Sequence, residues 1–536
     1  MLPLCSPPPL HGAEPGPVLI HSPAIVAESV AREAGIDNRH SRRFARVELE
    51  FDSLLHPAKP PGEGVEPTEF APLAQSTVTI EPFPGEIYRL NGRYVEEWTD
   101  SAWSWVGAIE GYEYADFVVS VTQTGYFGMM RVGPIVYEIR HGSDGNTYIR
   151  EPDIAAYELE SACAHGANAH EGGKTLGAFD TGLDSKEPDV AEPGTKSSGG
   201  TAVIDILLLF TAGAASNYDI EALANSSIAW MNISFDDSDV DAVGRIIHYE
   251  ASSYTAPPNV DGFRAITMAE QMKSTYPGNT FEEVTPLRNA HQADLALLIW
   301  DEANAGTTCG AGLAADSPSG NSETKWTANT GDGCISMFNN FTHEIGHNLG
   351  IGHDYPPNAG YQAHSYGNGF TYAGDNGVPE FRTIMGSDGS CSLSGCDRLN
   401  LWSDPGMTYQ SQAIGVVNES DAVQALDTMA SVIGGYRTPG GASPGAFGTV
   451  SIIRGLCFGD NWVNYSAPTG LIGWYEIETD SNSWFSSPDS FYRGVKESVP
   501  LEVTSSTWVR ARACNSTGCN AWTPGNQTAT YTSGCL

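Results

Sequence analysis

A chain of 536 residues with 40% hydrophobic content is too long for one ordinary core and can bury two or three. Lys+Arg 27 against Asp+Glu 65 leaves a formal net charge of -38, which repels nucleic acid and anionic membrane surfaces, so neither is expected as a partner. The longest apolar run, 203–215, contains Asp205 and falls short of the roughly 18 to 20 residues of a spanning helix, so no membrane segment is expected.

Residues 1–18 lack the basic start and apolar stretch of a secretory leader. Either the protein stays inside the cell, or the translation start is misplaced and the true leader is missing. The cysteines favour the second reading. Cys309 with Cys334, Cys391 with Cys396, and the tail set Cys457, Cys514, Cys519 and Cys535 fall in even regional groups, as disulfides require. Thiols kept reduced need no such grouping, so an oxidising compartment, and therefore a secreted or extracellular protein, is expected.

In chain order, Phe44 to Phe51, Phe117 to Val121 and Ile135 to Ile139 alternate apolar and polar residues between Gly, Asp and Asn turns, which predicts a β-rich leader domain over 1–163. Residues 164–200 lose aromatic and β-branched content and read as an exposed, flexible linker. Val203 to Phe210 is nearly all apolar, as expected of a strand covered on both faces, and Arg245 to Tyr249 and Ala293 to Trp300 repeat the type. Ile220 to Met231 and Arg264 to Met272 carry apolar residues at helical spacing. Ala422, Leu426, Met429 and Ile433 mark a closing helix with Ser420 as its cap and Gly434 as its stop. Strands alternating with helices predict an α/β domain over 201–437. A Gly/Pro/Ser bridge at 438–444 leads to a tail, 445–536, whose short, evenly spaced strands predict a β-sandwich.

The segment that carries chemistry is Thr342 to Asp354. On a helix, His343 and His347 differ by about 40° around the axis, so both imidazoles reach one metal from the same face. Gly350 can adopt the left-handed conformation that ends a helix, and the chain then turns back to bring His353 to the same ion. Three neutral nitrogens leave a coordination position open. On zinc that is the catalytic arrangement, because the metal lowers the pKa of its water towards about 7 and polarises a carbonyl. Glu344, beside the first ligand, can take the proton of that water and return it to the leaving amine. Solvated surface histidines, or a structural metal closed by a fourth ligand, are the plain alternatives, and no Cys or His lies nearby at finger-like spacing.

This segment resembles the long zinc signature of the metzincin metallopeptidases, and Phe381 to Gly386 is similar to their methionine turn, which implies that Met385 lies beneath the metal. Asp354 after the third ligand resembles the reprolysin-type branch. His343 to Asp354, Arg382 to Met385, the cysteine pair after them and Arg398 to Asn400 together resemble the bacterial peptidyl-Asp metallopeptidases. The resemblance covers roughly 200–437 well and the leader more loosely. It implies a mixed twisted sheet with an active-site helix, preceded by a β-rich prodomain. Where related branches carry a Tyr two residues after the Met, this chain has Ser387, so no tyrosine switch is expected.

The resemblance further implies cleavage of protein or peptide substrates on the amino side of Asp, which calls for a cation in the pocket beyond the scissile bond. The family builds that pocket from the segment at and after the methionine turn, which makes Arg382 and Arg398 its candidates. A salt bridge from Arg398 to Asp397 or Asp404 is the structural alternative. Gly312 to Ala315 is placed like the edge strand along which metzincins hold substrate. Cys163 stands single before the linker and can cap the metal as a latency switch, although its surroundings do not match the matrix metalloproteinase consensus. A buried Cys163, or one paired with Cys5, is the other reading. The leader as a whole resembles a propeptide. Trp508 to Cys519 resembles a fibronectin type III module. Cys514 with Cys519 and Cys457 with Cys535 are the simplest pairings of the three that four cysteines allow. The carboxylate excess admits Ca2+ beside Zn2+, though no loop has EF-hand spacing. A monomer is expected. Two rivals stay open: a metzincin of broad specificity, and an adhesive surface protein with a vestigial metal site.

Overall fold

Alternating runs of the leader pair into a closed ring. The computed structural model describes residues 18–27, 30, 41–49, 77–99, 101–154, 201–273, 280–301, 308–320, 324–354, 362–375, 377–386 and 396–437, and in the tail 450–454, 460–465, 474–480, 490–494, 498–502, 508–515, 518–523 and 526–527. The linker 164–200, Cys5, Cys163, Ser387, Cys391, Cys457 and Cys535 lie outside the described residues.

The leader strands are β1 (Val18–Ile25), β2 (Ser41–Leu49), β3 (Thr77–Glu81), β4 (Tyr88–Thr99), β5 (Ala102–Ile109), β6 (Asp116–Val121), β7 (Tyr126–Val132), β8 (Ile135–His141) and β9 (Thr147–Pro152). They run in the order β3-β1-β2-β9-β8-β7-β6-β5-β4, and β4 closes the ring by pairing with β3 as well as β5. Only β1 with β3 is parallel among these neighbours. Closure removes most free strand edges, leaving one along β4 beyond its pairing with β3.

Side chains alternate across the wall of this barrel. Trp105, Phe117, Val119 and Met130 fill its interior with Ile80, Leu90, Tyr137 and Ile149. On the alternate positions of the same strands, Val106, Val118, Phe127 and Met129 face outward, yet are buried in the core of the next domain. A period of two thus lets the same strands serve two cores. Each such outward side chain, fully buried, contributes roughly 1.5–3 kcal/mol.

The next domain contains β10 (Ala202–Phe210), α1 (Ala212–Asn217), α2 (Ile220–Asp237), β11 (Ala242–Ala251), α3 (Gly262–Met272), α4 (Val284–His291), β12 (Leu295–Trp300), β13 (Gly310–Gly312), β14 (Thr327–Gly331), α5 (Asp332–Phe338) and α6 (Asn340–Asn348). Its sheet runs β11-β10-β12-β14-β13, parallel except for the edge strand β13. The expected mixed sheet with fully covered strands is present, and β10 is buried along all but its last residue. Helix α2 starts at Asp219, whose side chain accepts from the Ala222 N–H. Beyond Glu221 it is buried on every side through Phe235. One flank packs on β11 and α6, the other on β5, β6 and β7 of the barrel. Its polar groups are met from both directions. The Ser226 hydroxyl donates to the Phe127 carbonyl at 2.9 Å, and Asn232 Nδ2 to Glu96 at 3.1 Å and to the Gly244 carbonyl at 3.2 Å. The helical spacing at 220–231 therefore marked a longer helix, with two buried faces instead of one.

Short strands β15 (Thr371–Tyr372), β16 (Phe381–Arg382), β17 (Asp397–Arg398), β18 (Thr408–Tyr409) and β19 (Gln412–Ala413) lead to α7 (Ala422–Ile433), which returns to β10. Its cap is Asp421, whose side chain accepts from the Gln424 N–H, and not the expected Ser420. Ser420 pairs through its backbone with Val416 instead. Gly434 does close the helix, in a right-handed conformation at φ -63°.

The tail strands are β20 (Val450–Arg454), β21 (Asp460–Tyr465), β22 (Trp474–Asp480), β23 (Ser490–Gly494), β24 (Ser498–Glu502), β25 (Trp508–Asn515), β26 (Gly518–Cys519) and β27 (Asn526–Gln527). They form two antiparallel groups, β20-β21-β24 and β23-β22-β25, with β26 and β27 on β25. β23 also lies parallel to β4, with Phe491 opposite Tyr94. Cys514 is bonded to Cys519 and Cys309 to Cys334, as expected, and Cys396 is disulfide-bonded. Among the described residues no helix is long and apolar enough to cross a membrane.

Candidate metal centre

Helix α6 begins where Asn339, at φ 56°, breaks the chain direction after α5. All nine of its residues are buried. Its far end is pinned to two strands: Asn348 Nδ2 donates to the carbonyls of Leu313 at 2.9 Å and Thr327 at 3.0 Å, and the Ala315 N–H donates to the His347 carbonyl at 3.0 Å. At the near end Asn340 Nδ2 donates to Thr330 Oγ1 at 3.0 Å. Gly312 lets the edge of the sheet approach this closely, because a Cβ there would lie 2.2 Å from the Glu344 carbonyl oxygen.

The helix ends as the sequence implied. Gly350 has φ 80°, its N–H donates to the His347 carbonyl at 2.9 Å, and the Ile351 N–H reaches the Gly346 carbonyl at 3.0 Å. This is the paired bonding of a Schellman termination, and it reverses the chain towards His353. The three imidazoles then converge, with ring centroids 4.9 to 5.0 Å apart. Their ligand atoms all lie within 4.8 Å of one another. His343 and His347 are nearly enclosed, and His353 is half-buried.

Second contacts set which nitrogen faces the centre. His343 Nδ1 lies 2.8 Å from the Ile384 carbonyl and His347 Nδ1 lies 3.0 Å from the Ile351 carbonyl. A carbonyl only accepts, so each Nδ1 carries the proton and each Nε2 keeps its lone pair. His343 Nε2 sits 3.0 Å from His353 Nε2. Two ring nitrogens held this close by backbone geometry suit a shared cation, and an all-imidazole set suits zinc. The residues therefore fit the ion that the sequence implied.

Glu344 is completely enclosed, and neither carboxylate oxygen has a hydrogen-bond partner among the described residues. Burial pushes its pKa up to about 8, against the weaker opposing influence of Asn340 and the Gly312 backbone. Met385 is buried, in a turn closed by the Gly386 N–H to the Thr383 carbonyl at 2.9 Å. Gly346 of the helix faces it: a Cβ at that position would stand 2.6 Å from the Met385 sulfur. Asp354, after the third histidine, accepts from the Thr371 hydroxyl at 2.7 Å.

Arg382 and Arg398 are register partners on β16 and β17. Arg382 is buried and its Nη1 points to the Gly386 carbonyl at 3.4 Å. The Arg398 guanidinium lies 4.7 Å above the Phe338 ring. Of its suggested structural partners, Asp397 accepts from the Tyr409 hydroxyl at 2.7 Å and Asp404 from the Gly406 N–H at 2.6 Å. Both arginines line one pocket with Asn339 and Ile384. A residue that sequence reasoning missed, Arg131 of β7, lines the same pocket. No local signal identifies it, since it comes from another domain. A second grouping, Glu476 with Cys514 and Cys519, is no metal site, because the two sulfurs are spent on each other.

Residues 200–403 match the sequence model described as Metallo-peptidase family M12, Reprolysin_5. A peptidyl-Asp metalloendopeptidase of Stenotrophomonas maltophilia (strain R551-3) is 30% identical over 244 residues, which is 45% of this chain and 54% of that protein. One from Xanthomonas campestris pv. campestris is 26% identical over 314 residues, 58% of this chain and 67% of that protein. The chain thus spans about half to two thirds of the length of these curated relatives. Among solved structures, metalloproteinase-II from Bacteroides fragilis is 14% identical, with 55% of this chain and 87% of that one covered and a TM-score of 0.31. By the match over 200–403, the chain carries a reprolysin-like metallopeptidase domain of family M12.

Proposed function

We propose that this protein is a secreted zinc endopeptidase, made as a latent precursor, that cuts peptide chains on the amino side of Asp. His343, His347 and His353 hold the metal, Glu344 is the base and Met385 underlies the site. The observation that carries this reading is the convergence of His343 and His353 Nε2 at 3.0 Å, with the Nδ1 groups of His343 and His347 already committed to backbone carbonyls.

Zinc, when bound, supplies Lewis acidity that makes water a nucleophile near neutral pH and polarises the carbonyl under attack. The protein does the rest. Glu344 is enclosed, its proton affinity is raised by burial, and it can take a proton from water and deliver it to the leaving amine. The sheet edge at β13 lies along the helix that carries the base, in the position for an extended substrate. The guanidiniums of Arg382 and Arg398 suit a side-chain carboxylate, which agrees with the names of the relatives. Latency is assigned to Cys163 and release to cleavage in 164–200. Two separate antiparallel groups of strands favour a fibronectin type III-like tail.

The test uses the full chain after its linker, 164–200, has been cut by limited proteolysis, the step that the latency reading requires for activity. One equivalent of zinc, peptide hydrolysis abolished by a chelator and restored by zinc, and cuts before Asp are expected. Zinc bound at one equivalent without any hydrolysis would leave the adhesive alternative standing.

A further inference from the structure

Arg131 belongs to the leader barrel but reaches into the neighbouring domain. It lies on β7, where its neighbour Met130 faces the barrel core and Met129 faces α2. Its Nη2 donates to the carbonyls of Met337 at 3.0 Å and Ser336 at 3.3 Å, near the end of α5. Its Nη1 has no hydrogen-bond partner among the described residues, although the side chain is only 6% exposed. A buried guanidinium with an unanswered arm is costly unless something anionic meets it.

The pocket beside it holds two more cations. Arg131 lines it with Arg382, Arg398, Asn339 and Ile384. Burial first, and then the Arg382 charge, pull the Arg131 pKa down to about 9, while Asp397 opposes this. Arg131 therefore stays charged at neutral pH. The Asp397 carboxylate is itself engaged by Tyr409. The pocket is adjacent to the metal centre, since the Ile384 carbonyl is the group that orients His343.

The barrel is also docked too thoroughly to be a loose cover. It seals one flank of α2, whose other flank carries α6, and it satisfies buried polar groups there and at α5. Glu138 of the barrel accepts from the Ser336 hydroxyl at 2.5 Å, and Arg93 is paired with Asp237.

We infer that Arg131 is a specificity residue: the barrel lends the third guanidinium of a pocket that holds the side-chain carboxylate of an acidic substrate residue, and so remains docked in the working enzyme after the linker is cut. This rests on the peptidase reading above. It places the removable, inhibitory part of the leader after the barrel, in the segment that carries Cys163, and makes the barrel part of the catalytic unit.

Two experiments test it. In the first, the zinc-loaded full chain, nicked in the linker by limited proteolysis, and the variants Arg131→Met and Arg131→Lys treated alike are given peptides that differ only in Asp or Asn at the cleaved position. The Asp/Asn ratio of kcat/KM is expected to fall about tenfold or more in Arg131→Met, the loss typical of a hydrogen bond to a charged group, and to recover in part in Arg131→Lys. An unchanged ratio, or an equal loss on both peptides, would mean that Arg131 only supports the fold. Binding of N-acetylaspartate against N-acetylasparagine to metal-free protein, read by calorimetry, decides the same point without catalysis. Weaker binding of the aspartate alone in Arg131→Met is expected. If neither peptide is cut by the parent protein while this binding difference persists, the peptidase reading fails and the carboxylate pocket stands. In the second, the linker is nicked by limited proteolysis and the product is passed over a sizing column. Co-elution of the barrel with the catalytic fragment is expected, and a released barrel with Asp preference retained would overturn the inference.

Discussion

His343 is tied to Ile384: its Nδ1–H donates to that carbonyl at 2.8 Å, one residue before Met385. The turn that holds Met385 therefore fixes the rotation of the His343 ring, a proposed metal ligand carried by a different element. The turn is in turn seated on the helix at Gly346. Gly346→Ala would place a Cβ 2.6 Å from the Met385 sulfur and 3.1 Å from the Trp402 ring, so the turn must move. Overpacking of this kind costs about 1–3 kcal/mol, and misdirecting the carbonyl behind a ligand costs about 10- to 100-fold in metal affinity. Competition with a chelator and thermal unfolding would measure both, and unaltered zinc affinity would show that the turn does not govern the ring.

Glu344→Gln separates holding the metal from using it. The amide is nearly the same size and cannot accept a proton, so hydrolysis should fall by about 10²- to 10⁴-fold while zinc content stays at the parent level. The metal-free variant should match the parent in stability near neutral pH, because burial holds the Glu344 pKa at about 8 and the carboxyl is already largely uncharged there. Loss of zinc from this variant would instead place Glu344 among the groups that hold the ion.

The convergence of the three histidines was legible because its information is local. His343, His347, Gly350 and His353 lie within eleven residues, and helical geometry plus one left-handed glycine determine how they converge. Gly350→Ala puts that step on trial. At φ 80° an alanine is strained by about 1–2 kcal/mol, and its Cβ would also lie 2.6 Å from that of Ala363. A lower melting temperature together with weaker zinc binding is expected, whereas a drop in stability at parental zinc affinity would detach His353 from the turn.

What the sequence concealed is of longer range. Helix α2 reads as amphipathic only in part, because the barrel covers its second flank and polar residues such as Ser226 and Asn232 find partners there. Arg131 meets Ser336 and Met337 across more than two hundred residues, and no spacing rule connects such positions. The cap of α7 was missed by one residue for a smaller reason. Ser420 and Asp421 are both good caps, and only the backbone pairing of Ser420 with Val416 decides between them.

Asp421 also gives the stability a pH dependence that can be isolated. Burial, with help from the charges of Asp404 and Asp427, pushes its pKa up to about 6, and the Gln424 N–H it caps only partly offsets this. An unfolded Asp titrates near 3.9, so between about pH 4 and pH 6 the folded chain holds the proton more tightly than the unfolded one. Stability from this residue is therefore highest at the acid end and is lost as pH rises through about 6. Asn caps a helix about as well as Asp and does not ionise in this range. Asp421→Asn should match the parent melting temperature near pH 4.5 and exceed it near pH 7.5. A difference that stays constant across that range, or a parent that is the more stable at pH 7.5, would show that burial does not burden this carboxylate.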